Sequence, residues 1–111
     1  MIRTGEEYRE SIRDGRVVFM NGEKVPDVTT HPMFKPLVDI RARIYDMQHD
    51  AATAPVMTYH DDKDEPFSVG LKLPYTQEDW QDKRNSTDAV FEDIGGVVTR
   101  VGDCLLYTSD A

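Results

Sequence analysis

Arg84, three histidines and a large supply of carboxylates are the side chains of this sequence best equipped for chemistry. A guanidinium presents its donors in a planar fork, so an arginine on a helix can hold a phenolate or carboxylate through paired hydrogen bonds. Asp88 stands four residues on, on the same helix face, and offers Arg84 the plainer alternative of a surface ion pair. His31, His49 and His60 form no HxxxH or HxH pair, and His60-Asp61-Asp62 reads as solvated charge, so no metal site is expected. There is no GxGxxG, GxxxxGK or GxSxG, and no Cys-His pairing, so neither a phosphate cradle nor an acyl-transfer nucleophile is present. Tyr75 and Trp80 have faces on which a ring can stack, although aromatics at helical spacing more often belong to a core.

Charge narrows the partners. With 21 acidic against 13 basic residues the net charge is −8, which repels phosphate backbones and anionic lipids; nucleic acid and membrane are excluded as partners. An anionic small molecule must then be met by a local cation, which returns attention to the arginines. No apolar run approaches the roughly 20 residues that span a bilayer, and Met1 to Gly5 leads into a helix start instead of a signal-peptide core. The cytoplasm is the expected compartment. Cys104, the only cysteine, falls in the closing octapeptide CLLYTSDA, which can be read as the translation of a transposase adapter end used in sequencing-library preparation. We therefore expect residues 104–111 to be non-native and residues 1–103 to be an incomplete N-terminal domain, free of disulfide or thiolate chemistry.

The elements follow from caps, turns and periods. Thr4-Gly5-Glu6-Glu7 has capping-box spacing, so a short helix should start there, with Tyr8 and Ile12 inward, Arg9 in water and Gly15 as the stop. Arg16 to Met20, Asn21-Gly22 and Glu23-Lys24-Val25 read as a hairpin about a type I′ turn, closed by Pro26. Asp27 to Thr30 is a loop. Pro32 or Pro36 can open a helix whose inward residues are Leu37, Ile40, Ile44, Met47 and Tyr45, ending near His49. Val56 to Tyr59 suits a strand, His60 to Pro66 a charged loop, and Phe67 to Leu73 alternates like a half-buried strand. Thr76 and Asp79 cap a long helix with Trp80, Thr87, Phe91 and Ile94 inward, broken at Gly95-Gly96. Val97 to Val101 is open between strand and helix.

TTHPMFKPLVDIRARIYDMQHD (Thr29 to Asp50), with RTGEEYRESIRDGR, VVFMNGEKVPDV and LPYTQEDWQDKR, resembles the N-terminal region of the 4-hydroxyphenylacetate 3-monooxygenase family, over roughly residues 2–103. The resemblance implies a mainly α fold with a short β-hairpin and one or two short strands, the N-terminal domain of an acyl-CoA dehydrogenase-like flavoenzyme. It implies the large component of a two-component system: a separate flavin reductase supplies reduced FAD, molecular oxygen is consumed, and a phenol is hydroxylated ortho to its hydroxyl. The complete protein would be a homo-oligomer, and this piece inactive alone. A helix in this region of the family carries an arginine and, four residues on, a tyrosine, both facing the phenol. Arg84 matches the arginine and is the expected substrate-binding residue; Asp88 stands in place of the tyrosine. Gly96 to Asp103 is similar to the family's glycine-arginine-proline-aspartate segment, with Gly102 where proline is usual. The rival readings are a 4-hydroxybutyryl-CoA dehydratase-like flavoprotein and a small acidic interaction domain presenting Trp80 and Phe91.

Overall fold

The computed structural model describes residues 2–96; the Val97 to Val101 run, the Gly96 to Asp103 likeness beyond its first residue and the adapter-like tail lie outside them. Among the described residues there are four α-helices and two small antiparallel sheets, a mixed α/β arrangement where a mainly α one was expected; the expected hairpin is one sheet, and two short strands beyond it pair as the other. They divide into two compact units, one of residues 3–46 and one of residues 47–96 with Ile2.

In the first unit, α1 (Gly5–Ser11) begins at the expected capping box: Thr4 Oγ1 accepts from the Glu7 amide at 3.1 Å, and Glu7 accepts from the Thr4 amide at 2.8 Å. The helix closes at Ser11, short of Gly15, while Arg13 reaches across to Thr29 at 3.2 Å. Strands β1 (Val18–Met20) and β2 (Glu23–Val25) pair with Met20 opposite Glu23. Between them Asn21 and Gly22 take φ of 53° and 82°, the two positive values a type I′ turn demands. Asp27 orders the next loop by accepting from both the amide and the hydroxyl of Thr29.

Helix α2 (Lys35–Met47) carries Pro36 in its first turn, where a missing amide costs nothing. Its inner face keeps Ile44 and Met47 of the expected stripe but not Leu37, whose place is taken by Val38 and Ala42. Leu37 is 57% exposed, and Val38, Ala42, Ile44 and Met47 are buried. Contacts with α1 fix this orientation: Tyr8 stacks on Tyr45 at 5.0 Å, and Asp46 accepts from the Gly5 amide at 2.6 Å. A Cβ on Gly5 would lie 2.5 Å from Asp46 Oδ2 and 2.6 Å from the Ala42 carbonyl oxygen, so only glycine allows this approach. Arg9 is drawn out of the solvent role expected of it by Asp39, 3.2 Å away, which also holds Lys35 at 2.6 Å.

In the second unit, a short helix α3 (Ala54–Met57) replaces the first half of the strand expected at Val56 to Tyr59. Pro55 suits the first turn of a helix, and the Val56 and Met57 amides both donate to the Thr53 carbonyl. Strand β3 (Thr58–His60) therefore starts later and pairs with β4 (Pro66–Ser68), Tyr59 opposite Phe67. The intervening residues form the expected charged loop, pinned by Asp61, which accepts from the amides of Lys63 and Glu65. The long strand expected from Phe67 to Leu73 stops at Ser68. Gly70 weakens it, a 3₁₀ turn (Val69–Leu71) buries Val69, and Lys83 donates to the Gly70 carbonyl at 2.9 Å. The core of this unit joins Met47, Met57, Val69 and Val90, with Ser86 donating to the Met57 sulfur.

Candidate functional site

Helix α4 (Gln77–Ile94) opens on the expected Thr76 cap, whose Oγ1 accepts from the Asp79 amide at 3.1 Å, and Asp79 completes a capping box. Its other end closes on Gly95 at φ 78°, the left-handed stop foreseen for Gly95-Gly96. Eighteen residues give five turns, and the capping box sets Arg84 two turns in.

The helix buries Ser86 and Val90, flanked on the same side by Asp79 and Lys83. Trp80, Thr87, Phe91 and Ile94, the stripe expected inward, are rotated from this buried line by about 80°, counting 100° per residue. Trp80 is 59% exposed and Thr87 is exposed; Phe91 and Ile94 are half-buried. The polar inner residues explain the rotation. The Lys83 ammonium reaches the Gly70 carbonyl, and Asp79 bonds Lys72 at 2.8 Å together with the amides of Tyr75 and Thr76 at 2.9 and 3.0 Å. The Lys72 ammonium also lies 5.1 Å from the centre of the Tyr59 ring. These bonds hold the Asp79 carboxyl well below its ordinary value, the Lys72 contact contributing most. Burial pushes the Lys83 ammonium down from its usual range.

The outer side of α4 therefore carries Trp80, Arg84 and Asp88 at intervals of one turn, with Tyr75 just ahead, 83% exposed. Arg84 and Asp88 are both exposed, and among the described residues no ion pair or hydrogen bond engages the Arg84 guanidinium. The surface pairing with Asp88 is not formed. What results is an aromatic face one turn from a free planar cation, an arrangement suited to a flat anionic ring.

A concavity of ≈ 190 Å³ lies between the end of α1 and β2, lined by Ile12, Arg13, Arg16, Val25 and Asp27. Its cations are already engaged. Arg13 bonds Glu10 at 2.7 Å, and Arg16 holds Asp14 at 2.6 Å, which lowers the Asp14 carboxyl to about 2. An incoming anion finds no unpaired partner there. The histidines are dispersed: His31 accepts from the Met33 amide before α2, His49 follows α2, and His60 ends β3. Among the described residues no three His, Cys, Asp or Glu side chains converge to hold a metal.

A family model described as "4-hydroxyphenylacetate 3-hydroxylase N terminal" matches residues 4–109, which includes all of this geometry and runs into the adapter-like tail. The chain belongs to the 4-hydroxyphenylacetate 3-hydroxylase family. It is 37% identical over 100 residues to the oxygenase component of a 4-nitrophenol 4-monooxygenase/4-nitrocatechol 2-monooxygenase from Rhodococcus opacus, a match covering 89% of this chain and 19% of that one. To an FADH(2)-dependent monooxygenase of Burkholderia cepacia it is 32% identical over 108 residues, covering 96% of this chain and 21% of the relative. Among solved structures, the oxygenase component of 4-hydroxyphenylacetate 3-monooxygenase complexed with FAD and 4-hydroxyphenylacetate matches with a TM-score of 0.74 at 33% identity. That match covers 82% of this chain and 19% of the solved one. This member of the hydroxylase family thus spans about a fifth of the length of the relatives it resembles.

The cap and the position of Arg84 on its helix were legible in the sequence, and so was the family. The fastening of the site by Lys72 and Lys83 was not. Each lysine meets a partner that its neighbours in sequence do not announce, and the lone signal, Asp79 in a capping box, predicts the helix start without its ammonium partner.

Proposed function

We propose that this chain is the N-terminal part of the oxygenase component of a two-component, reduced-FAD-dependent monooxygenase that hydroxylates a phenol ortho to its hydroxyl. The observation that carries this reading is the agreement of sequence and fold with the solved oxygenase whose complex contains FAD and 4-hydroxyphenylacetate. On this reading a separate flavin reductase is the partner, oxygen is the co-substrate, and the complete protein is a cytoplasmic homo-oligomer with an acyl-CoA dehydrogenase-like architecture.

FAD supplies the oxygen-activating chemistry in such an enzyme, and the described residues do not fit it by themselves. The concavity of ≈ 190 Å³ is smaller than the roughly 300–1,000 Å³ of small-molecule pockets, and the α4 face is open to water. What this chain contributes is one wall. Arg84 holds the phenolate or carboxylate of the substrate, and Trp80 and Tyr75 give its ring an apolar surface that helps to exclude water. Asp88 sets a limit on the substrate, since a carboxylate one turn from the arginine repels a second negative charge.

The test is catalytic. The complete oxygenase, given reduced FAD, oxygen and a panel of phenols, is expected to form catechols, detected by chromatography and oxygen uptake. Release of hydrogen peroxide with every phenol and catechol with none contradicts the proposal.

A further inference from the structure

We propose that Asn21-Gly22, at the tip of the β1–β2 hairpin, is a site of spontaneous covalent modification, where the Gly22 main-chain nitrogen closes on the Asn21 side chain and water opens the resulting cyclic imide to aspartate or isoaspartate. The step balances without any oxidant. The Gly22 nitrogen gives up its proton and bonds to Cγ of Asn21, the bond from Cγ to Nδ2 breaks, and ammonia leaves with that proton. One water then opens the ring. Cleavage between the nitrogen and Cγ leaves aspartate, and cleavage of the original peptide bond leaves isoaspartate.

The hairpin leaves this pair open to the reaction. Asn21 and Gly22 are both exposed, and the ladder closes just outside them, with Met20 opposite Glu23. Among the described residues no hydrogen bond engages the Asn21 side chain or the Gly22 amide. A Cβ placed on Gly22 would meet nothing within 4 Å, so neither a side chain of its own nor a neighbour crowds the closing ring. The ladder behind the turn is three residues long on each strand, short enough to open locally and let the Asn21 backbone rotate its Cγ toward the nitrogen.

Two other sites in the chain show what protection looks like. Asn85, the other asparagine, lies inside α4; its Oδ1 accepts from Gln81 Nε2 at 2.9 Å, and the next residue, Ser86, is buried with its amide in the helical ladder. Asp14-Gly15 could close the same ring, but Arg16 holds both oxygens of Asp14, at 2.8 and 2.6 Å, and a carboxylate kept ionised has no leaving group to lose. The products at Asn21 differ in their effect on the fold. Aspartate before glycine still suits a type I′ turn, whereas isoaspartate lengthens the main chain of a two-residue loop and disturbs the register that buries Val25.

Incubation of the 111-residue chain in mildly alkaline heavy-oxygen water, folded and in urea, followed by peptide mass spectrometry, tests the proposal. In the folded chain the Asn21 peptide should gain the mass of an amide-to-acid change, carry one heavy oxygen and divide between aspartate and isoaspartate. It should convert several-fold faster than the Asn85 peptide, and at a rate within several-fold of its own rate in urea. Conversion no faster than that of Asn85 overturns the proposal. So does conversion to aspartate alone, which would be direct hydrolysis without the ring, and so does a folded rate far below the rate in urea, which would mean that the turn shields the pair.

Discussion

Arg84 is the residue on which the proposed chemistry turns, and its surroundings separate a binding role from a structural one. Its side chain is exposed and, among the described residues, makes no ion pair, so removing it should cost the fold almost nothing. Lys83, its neighbour in sequence, points the other way and fastens the 3₁₀ turn, so the two cations have opposite expected phenotypes. In the complete oxygenase Arg84→Ala should raise KM for the phenol roughly ten- to hundredfold, the loss of a charged hydrogen bond worth about 1.5–3 kcal/mol, with the melting temperature unchanged. Steady-state kinetics beside a thermal melt checks both halves. Unchanged KM and turnover would leave Arg84 as an ordinary surface residue.

At the scale of elements, the start of α4 depends on one carboxylate that joins the helix to the segment before it. Asp79 accepts from Lys72, Tyr75 and Thr76 while its own amide donates to Thr76, and this company depresses its pKa. A depressed carboxylate stabilises the fold fully above its unfolded value, and that contribution is lost as pH falls through the folded value. Asp79→Asn should therefore lower the melting temperature at pH 6. The gap between wild type and variant should narrow as pH falls below the ordinary value of 3.8. Melting curves across this acid range measure it, and a gap constant down to pH 2 would place the stabilisation elsewhere. The same carboxylate shows what a sequence reveals at this scale. Both threonine caps, the Asn21-Gly22 turn and the Gly95 stop were readable, because each is decided by residues within a few positions of one another. The inner face of α2 was readable only at Ile44 and Met47, and that of α4 was not, because apolarity favours Leu37 and Trp80 for the core while distant polar partners, Gly5 on Asp46 and Gly70 on Lys83, set the rotation. Strand length failed for a related reason. Alternation continued to Leu73, but Gly70 and a lysine thirteen residues away turned the chain at Val69. The position of Arg84 survived these errors because the cap numbers the helix. Its outward aim did not follow from the cap, and the assignment of a phenol to it came only with the family resemblance.

At the scale of the whole molecule, the proposed wall stands without the room it would enclose. The described residues supply two compact units and an outward aromatic and cationic face, while flavin enzymes must surround both cofactor and substrate to keep water from the reacting atoms. An open face gives a flat ligand contact on one side only, which forfeits most of the burial that small-molecule pockets provide. The isolated chain, titrated with reduced FAD under anaerobic conditions, should accordingly show no saturable binding in the micromolar range. Trp80 is its single tryptophan and lies on the face in question, so its emission is a direct reporter of any flavin seated there. Micromolar quenching that saturates at one flavin per chain would mean that residues 1–111 already contain a cofactor site, and the assignment of the flavin pocket to the rest of the oxygenase would have to be abandoned. Failure to bind, joined to hydroxylation by the complete protein, would locate the missing contacts in the four fifths of an oxygenase that this chain does not span.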